Sequence, residues 1–113
     1  MTAFASPADA VPALSTLLAA RDWAALAACY AADPAVLTPA FFYDAEAPGH
    51  PSGADRWRHP FPPGWRYLSH EVRGDVVVVH VGIEIDQGDG MMQRGLREFR
   101  MRRTPAGWQV LPG

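Results

Sequence analysis

From Val76 to Ile85 every odd-numbered residue is apolar (Val77, Val79, Val81, Ile83, Ile85), while the even positions include His80 and Glu84. That alternation is the period of a strand with one face against a core. Val76 and Val78 make the first half apolar on both faces, the mark of a strand covered twice. In so small a chain the second cover is expected from another subunit. A strand over Trp65–Val72 places Leu68, His70 and Val72 on one face and Tyr67, Ser69 and Glu71 on the other, with Arg73, Gly74 and Asp75 turning the chain into its neighbour. After a turn at residues 86–90, Met91–Arg103 forms the next strand. Phe99 and Met101 mark its core face, and the same period adds Arg97 and Gln93, unless a bulge near Gly95 reassigns Gln93. Arg94, Glu98, Arg100 and Arg102 then face outward. A hairpin at 104–107 leads into Trp108–Leu111, with Trp108 and Val110 inward.

The first third has a different period. Ser6, Pro7 and Asp9 are helix-start residues, and Pro12 fits best inside a first turn capped by Asp9. Val11, Leu14, Leu17 and Leu18 then form one apolar stripe. Asp22 caps a second helix carrying Trp23, Leu26, Cys29 and Tyr30, ended by Asp33 and Pro34. Ala35–Thr38 and Phe41–Tyr43 read as short strands either side of Pro39. Helices followed by a run of strands give an α+β domain, residues 1–113, in which N-terminal helices pack into a curved antiparallel sheet. Between them, Glu46–Pro63 holds five prolines, with one or two helical turns expected over Ser52–Arg58. A connection this long is either a stiffened surface excursion or a lid over a site.

Composition narrows the partners. With 113 residues, 49% hydrophobic and 19% charged, the chain is one globular domain. A net charge of −2 gives no drive toward nucleic acid or an anionic membrane. All ten basic residues are Arg, a bias best explained by a GC-rich genome. The single Cys29 excludes an internal disulfide and a Cys-based zinc cluster, and suits core filling. MTAFASPADAV has neither a basic segment nor a long apolar run, and no stretch reaches a membrane span, so a cytoplasmic protein is expected.

Arg21–Pro39 (RDWAALAACYAADPAVLTP) and Leu96–Leu111 (LREFRMRRTPAGWQVL), in this order of elements, resemble the second helix and the final hairpin of the nuclear transport factor 2-like superfamily, with the SnoaL-like polyketide cyclases and their uncharacterised relatives nearest. The resemblance covers about nine-tenths of the chain. It implies a cone with an apolar cavity between sheet and helices, and a homodimer formed through the outer sheet face. It also implies what is missing. Related ketosteroid isomerases carry an Asp base just before a proline, where this chain has Thr38 and Pro39, and a hydroxyl cannot replace that carboxylate. The middle segment departs from the family's regular third helix.

The candidate chemistry is sparse. His70, between Leu68 and Val72, is either an acid/base near neutral pH or a hydrogen-bonded structural ring. Arg97 on a core face requires an acid such as Glu84, Glu71 or Asp44, or an anionic ligand. His80 and Glu84 lie about 13 Å apart on one strand, too far for a dyad. Tyr30, Phe42, Tyr43, Trp57 and Trp65, with Gln93, would line an apolar pocket. His50 and His59 with Asp44, Glu46 and Asp55 have irregular spacing for a metal, and no cofactor is expected. The expectation is a protein binding a small apolar or aromatic molecule, whose acidic group would pair with Arg97. The alternatives are an isomerase, cyclase or dehydratase using His70 and Arg97, and an association module using the Val76–Val81 face.

Overall fold

The computed structural model describes residues 2–47, 56–86, 88 and 90–113. Among these residues, three α-helices and one 3-10 turn are followed by an antiparallel meander of four strands in the order β1-β2-β3-β4. The α+β organisation expected from the two periods is present.

Helix α1 spans Pro7–Ala20. Its cap is Ser6, whose hydroxyl accepts from the Asp9 amide at 3.2 Å, not Asp9 itself. Pro12 therefore lies inside the helix, on its exposed side, while Val11, Leu14 and Leu18 are buried. The early Ser-Pro signal outweighs the one backbone bond that Pro12 removes. Asp22 caps α2, Trp23–Ala28, as expected. That helix is shorter than its apolar pattern suggests. Cys29 is already its C-cap and Tyr30 pairs in parallel with Val110.

The two short strands expected next are not strands. Pro34–Val36 is a 3-10 turn, with Asp33 Oδ1 accepting from the Ala35 amide at 2.9 Å, and α3 is one helical turn, Pro39–Phe42. In both, a polar residue followed by proline starts a helical turn and overrides the local β-preference of Val, Leu and Phe. Tyr43 then pairs with Trp57 across a two-residue ladder, in which the Asp44 amide donates to the Arg56 carbonyl and the Arg58 amide to the Phe42 carbonyl. Most of the turn expected over Ser52–Arg58 lies outside the described residues.

Strands β1 (Arg66–Arg73), β2 (Val76–Asp86), β3 (Met92–Thr104) and β4 (Gly107–Val110) follow the expected order closely. Register between β2 and β3 is continuous. Val77 faces Met101, Val79 faces Phe99 and Val81 faces Arg97, so Arg97 stands on the helix-side face and no bulge displaces Gln93, which lies opposite Ile85. The bulge is in β1 instead, between Tyr67 and Ser69. It shifts the pleat by one, so Tyr67 joins His70 and Val72 on the helix side and Leu68 points outward. At β4 both faces are covered. Val110 enters the core, while Gln109 is buried too and donates to the Thr2 carbonyl at 3.4 Å.

The core lies between α1, α2 and the Val77–Val79–Val81 face. The middle excursion completes it with Trp57, Phe61 and Trp65. The Phe61 ring packs tilted against Phe99, with centroids 5.5 Å apart. The Gly64 amide at its far end donates to Ser15 Oγ of α1 at 2.7 Å. The Trp65 indole packs on Gly95, where an added Cβ would meet ring carbons at 2.7 and 2.8 Å. Gly95→Ala is therefore expected to cost about 1–3 kcal/mol through displacement of the indole. Urea unfolding followed by tryptophan fluorescence checks this. A gain in stability, as replacing a strand glycine ordinarily gives, would show that Trp65 does not press on that position.

Candidate functional site

The polar groups that the fold brings together on the helix side are Arg97, His59 and Tyr30. The ladder from Tyr43 to Trp57 fixes the direction of the excursion, and the Arg58–Asp44 ion pair at 2.7 Å holds it from outside. Trp57 is thereby laid beside the sheet. Its carbonyl accepts from Arg97 Nη1 at 2.6 Å, and the guanidinium lies 5.7 Å from the centre of the Trp65 ring. The acids considered as partners for Arg97 are engaged elsewhere: Glu84 with Arg94 at 3.1 Å on the outer face, Glu71 with Arg73, and Asp44 with Arg58.

Two residues past Trp57, His59 turns inward. Its Nδ1 lies 2.7 Å from the Tyr30 hydroxyl, and its ring packs 5.2 Å from Phe41 and 5.5 Å from Tyr30. Burial, reinforced by the charge of Arg97, lowers its pKa from 6.5 to about 4. The Tyr30 phenol is buried as well, and loss of solvent pushes its pKa well above the usual value. The pair is neutral throughout the physiological range.

The other candidates are dispersed. His70 is exposed on the edge strand and bonds Tyr67 Oη at 2.6 Å. It shares the helix-side face with Arg97 but stands two strands and one row away, roughly 12 Å between backbones at ordinary strand spacing. Phe42 is fully buried and stacks on Trp23 at 5.7 Å. Tyr43 packs on Trp57 at 4.7 Å with the Arg21 guanidinium 4.5 Å above its ring. Hydrogen bonds from Arg56, and then from Arg21, lower its phenol pKa. Gln93 is exposed and four residues along β3 from Arg97. Cys29 is buried, its thiol donating to the Ala25 carbonyl at 3.3 Å, and desolvation raises its pKa. His80, on the outer face, lies 3.8 Å from Glu98. His50 and Asp55 lie outside the described residues. No group of three or more metal-ligating side chains occurs among the described ones.

Two grooves of the described surface lie across the outer face of the sheet. One of about 720 Å3 is lined by Arg66, Leu68, Gly82, Met92, Arg94 and Leu96, among others. A smaller one of about 380 Å3 continues it past Ser69, His80 and Glu98. Its shape follows from the β1 bulge, which turns Leu68 outward, and from Gly82, over which the Leu68 and Leu96 side chains close to 2.9 and 3.1 Å of where a Cβ would stand. The strand period alone could not reveal either.

The role of His59 was equally hidden, because its partner Tyr30 is 29 positions earlier. The one local signal was the apolar run after it, Pro60, Phe61 and Pro62, all buried. No helix among the described residues is long and apolar enough to cross a membrane. Comparison with protein-family models, curated proteins and solved structures finds no match.

The neutral His59 makes stability depend on pH. Above about pH 6.5 the ring is uncharged in both folded and unfolded chains. Between 6.5 and about 4 the unfolded chain takes up a proton that the folded one refuses, so acidification destabilises the fold. The full loss for that shift is on the order of 3 kcal/mol, less to the extent that solvent screens the half-buried ring. Below that range this group adds no further loss. Urea midpoints measured across the interval should fall for the native chain and flatten for His59→Gln.

Proposed function

We propose that this chain is a small-molecule-binding domain of the nuclear transport factor 2-like kind, without assigned chemistry, whose ligand is a small apolar or aromatic acid. The observation that carries the reading is the setting of Arg97. Its cation stands on a face otherwise made of Val77, Val79, Val81, Phe99 and Met101, oriented by the Trp57 carbonyl and stacked against Trp65. An apolar wall with a few fixed polar groups is the ordinary chemistry of a ligand site, and a guanidinium in that setting selects a carboxylate. Curvature introduced by the β1 bulge and by Gly82 and Gly95 fits the cone that this reading requires. The alternative pairing of His70 with Arg97 draws less support, since His70 stands two strands across the sheet and one row along it from Arg97.

A homodimer through the outer sheet face belongs to the same reading. Leu68, Met92 and Leu96 are 52%, 57% and 64% exposed around the larger groove. The flanking charges alternate in sign, with Arg66, Glu84, Arg94, Glu98 and Arg100 on one face. A two-fold-related copy can meet such a face with acids against arginines, and apolar residues against apolar residues.

Benzoate and related aromatic acids should raise the melting temperature by several degrees at about 100 times their dissociation constant, as binding to the folded state alone requires. Arg97→Gln should remove that shift while the variant still folds. A panel of acids with no effect on the native chain would overturn the ligand reading. Sedimentation should show a dimer that Leu96→Glu converts to a monomer with unchanged far-ultraviolet circular dichroism. A native monomer at high concentration would overturn the dimer.

A further inference from the structure

On the outer face of the sheet, the residues opposed across the β2–β3 ladder are His80 and Glu98, Gly82 and Leu96, Glu84 and Arg94. The outer two of these three rows are ionic. Arg94 Nη2 donates to Glu84 Oε1 at 3.1 Å, and His80 Nδ1 lies 3.8 Å from Glu98 Oε2. The row between them is apolar. Leu68 Cδ1 and Leu96 Cδ2 lie 2.9 and 3.1 Å from where a Cβ on Gly82 would stand, so both side chains lean over β2. Leu68, Glu84, Arg94, Leu96 and Glu98 are all exposed, and the larger groove opens beside this row. Ion pairs left in water contribute little to a fold. Covered by a partner, the same charges decide in which orientation that partner can dock.

We infer that the outer face receives a second copy of this chain about a two-fold axis running along the line between β2 and β3, so that Glu84 of each copy faces Arg94 of the other and His80 faces Glu98. The inference rests on the reading of the outer face as a homodimer interface and fixes the orientation of the two copies. Such an axis carries every β2 position onto the β3 position opposite it in the ladder. Residues opposed in the ladder are already complementary, so each meets its complement again across the interface. The two Glu84–Arg94 pairs become a group of four charges of alternating sign, within reach at the ~10 Å spacing of packed sheets. Between the ionic rows, both leucines lean to the β2 side of the axis, so the rotation sets those of one copy beside those of the other. An axis across the strands achieves less. Through the Gly82 row it sets each leucine on its own counterpart, ridge on ridge. One row further along it sets Glu84 on Glu84 and Arg94 on Arg94, like charge on like charge.

Charge reversal in two separate chains tests the pairing. Glu84→Arg gives a homodimer with four arginines at this place, and Arg94→Glu one with four glutamates. Sedimentation should find the dissociation constant of each raised about 100-fold or more. Mixed in equal amounts, the two variants should form a heterodimer of near-native affinity. A chain carrying both reversals should dimerise with itself, which keeps the test decisive if either single reversal disturbs the fold. Strand direction is read by spin labels on Arg100→Cys, since Cys29, the one native thiol, is buried. An axis along the strands holds the two labels within about 20 Å, whereas an axis across them parts the labelled positions by about 26 Å or more, four rows at ~3.3 Å per residue. A mixture that stays monomeric, single variants that keep their homodimers, a doubly reversed chain that does not associate, or distant labels overturn the axis while leaving the outer-face dimer standing. A native chain that is monomeric at high concentration removes that dimer, and the axis with it.

Discussion

A single arginine sets the terms for the middle of this protein. Arg97 occupies a ladder position that the β2–β3 register turns toward the core, between Gly95 and Phe99 on a helix-side face of valines and aromatics. A guanidinium there has to be given polar partners. The excursion supplies the Trp57 carbonyl and the Trp65 ring, and in reaching them it carries Phe61 into the gap over Phe99. Satisfying the charge and closing the core are one event. The Tyr30–His59 contact and the Asp44–Arg58 pair extend the same attachment toward the helices.

This arrangement explains why the cluster of inward polar groups lies where the chain is least regular. Strands and helices give rigid supports, but their alternating pattern leaves few polar atoms free to face inward. The excursion is held by bonds to its carbonyls and by proline-bracketed aromatic packing, so it can present a histidine and a carbonyl at positions no regular element would allow. Arg97 and Tyr30 are placed by β3 and the end of α2, and the excursion is fitted between them.

What the sequence made legible follows from the range of the interactions. The period of two in β2 and β3 located Arg97 and Gln93 correctly on the helix side, because eleven continuous ladder pairs leave no room for slippage. The cap at Asp22 was legible because it acts over three residues. The bulge between Tyr67 and Ser69 was not, since it answers to the neighbouring strand and leaves no mark in the local pattern. It moved Leu68 off the face where alternation had put it. At Pro34 and Pro39 the local β-preference of Val, Leu and Phe points to strands, and the proline start signals override it. In the sequence His59 is a candidate only for a metal, with His50 and the nearby acids, because nothing near it in the chain announces Tyr30.

The fourth strand joins distant parts of the chain. Trp108 pairs with Phe4 and Val110 with Tyr30, so each contact closes a loop of about eighty residues or more. The Val110 amide donates to the Cys29 carbonyl, and the Ala31 amide to the Val110 carbonyl. During synthesis, α1 and α2 emerge first, yet the backbone groups at residues 29 and 31 have no native partner until some eighty residues later. The helices must wait as an unsealed pair while the meander is made. The seal on both helices is therefore completed only by β4, the last strand of the meander to be made.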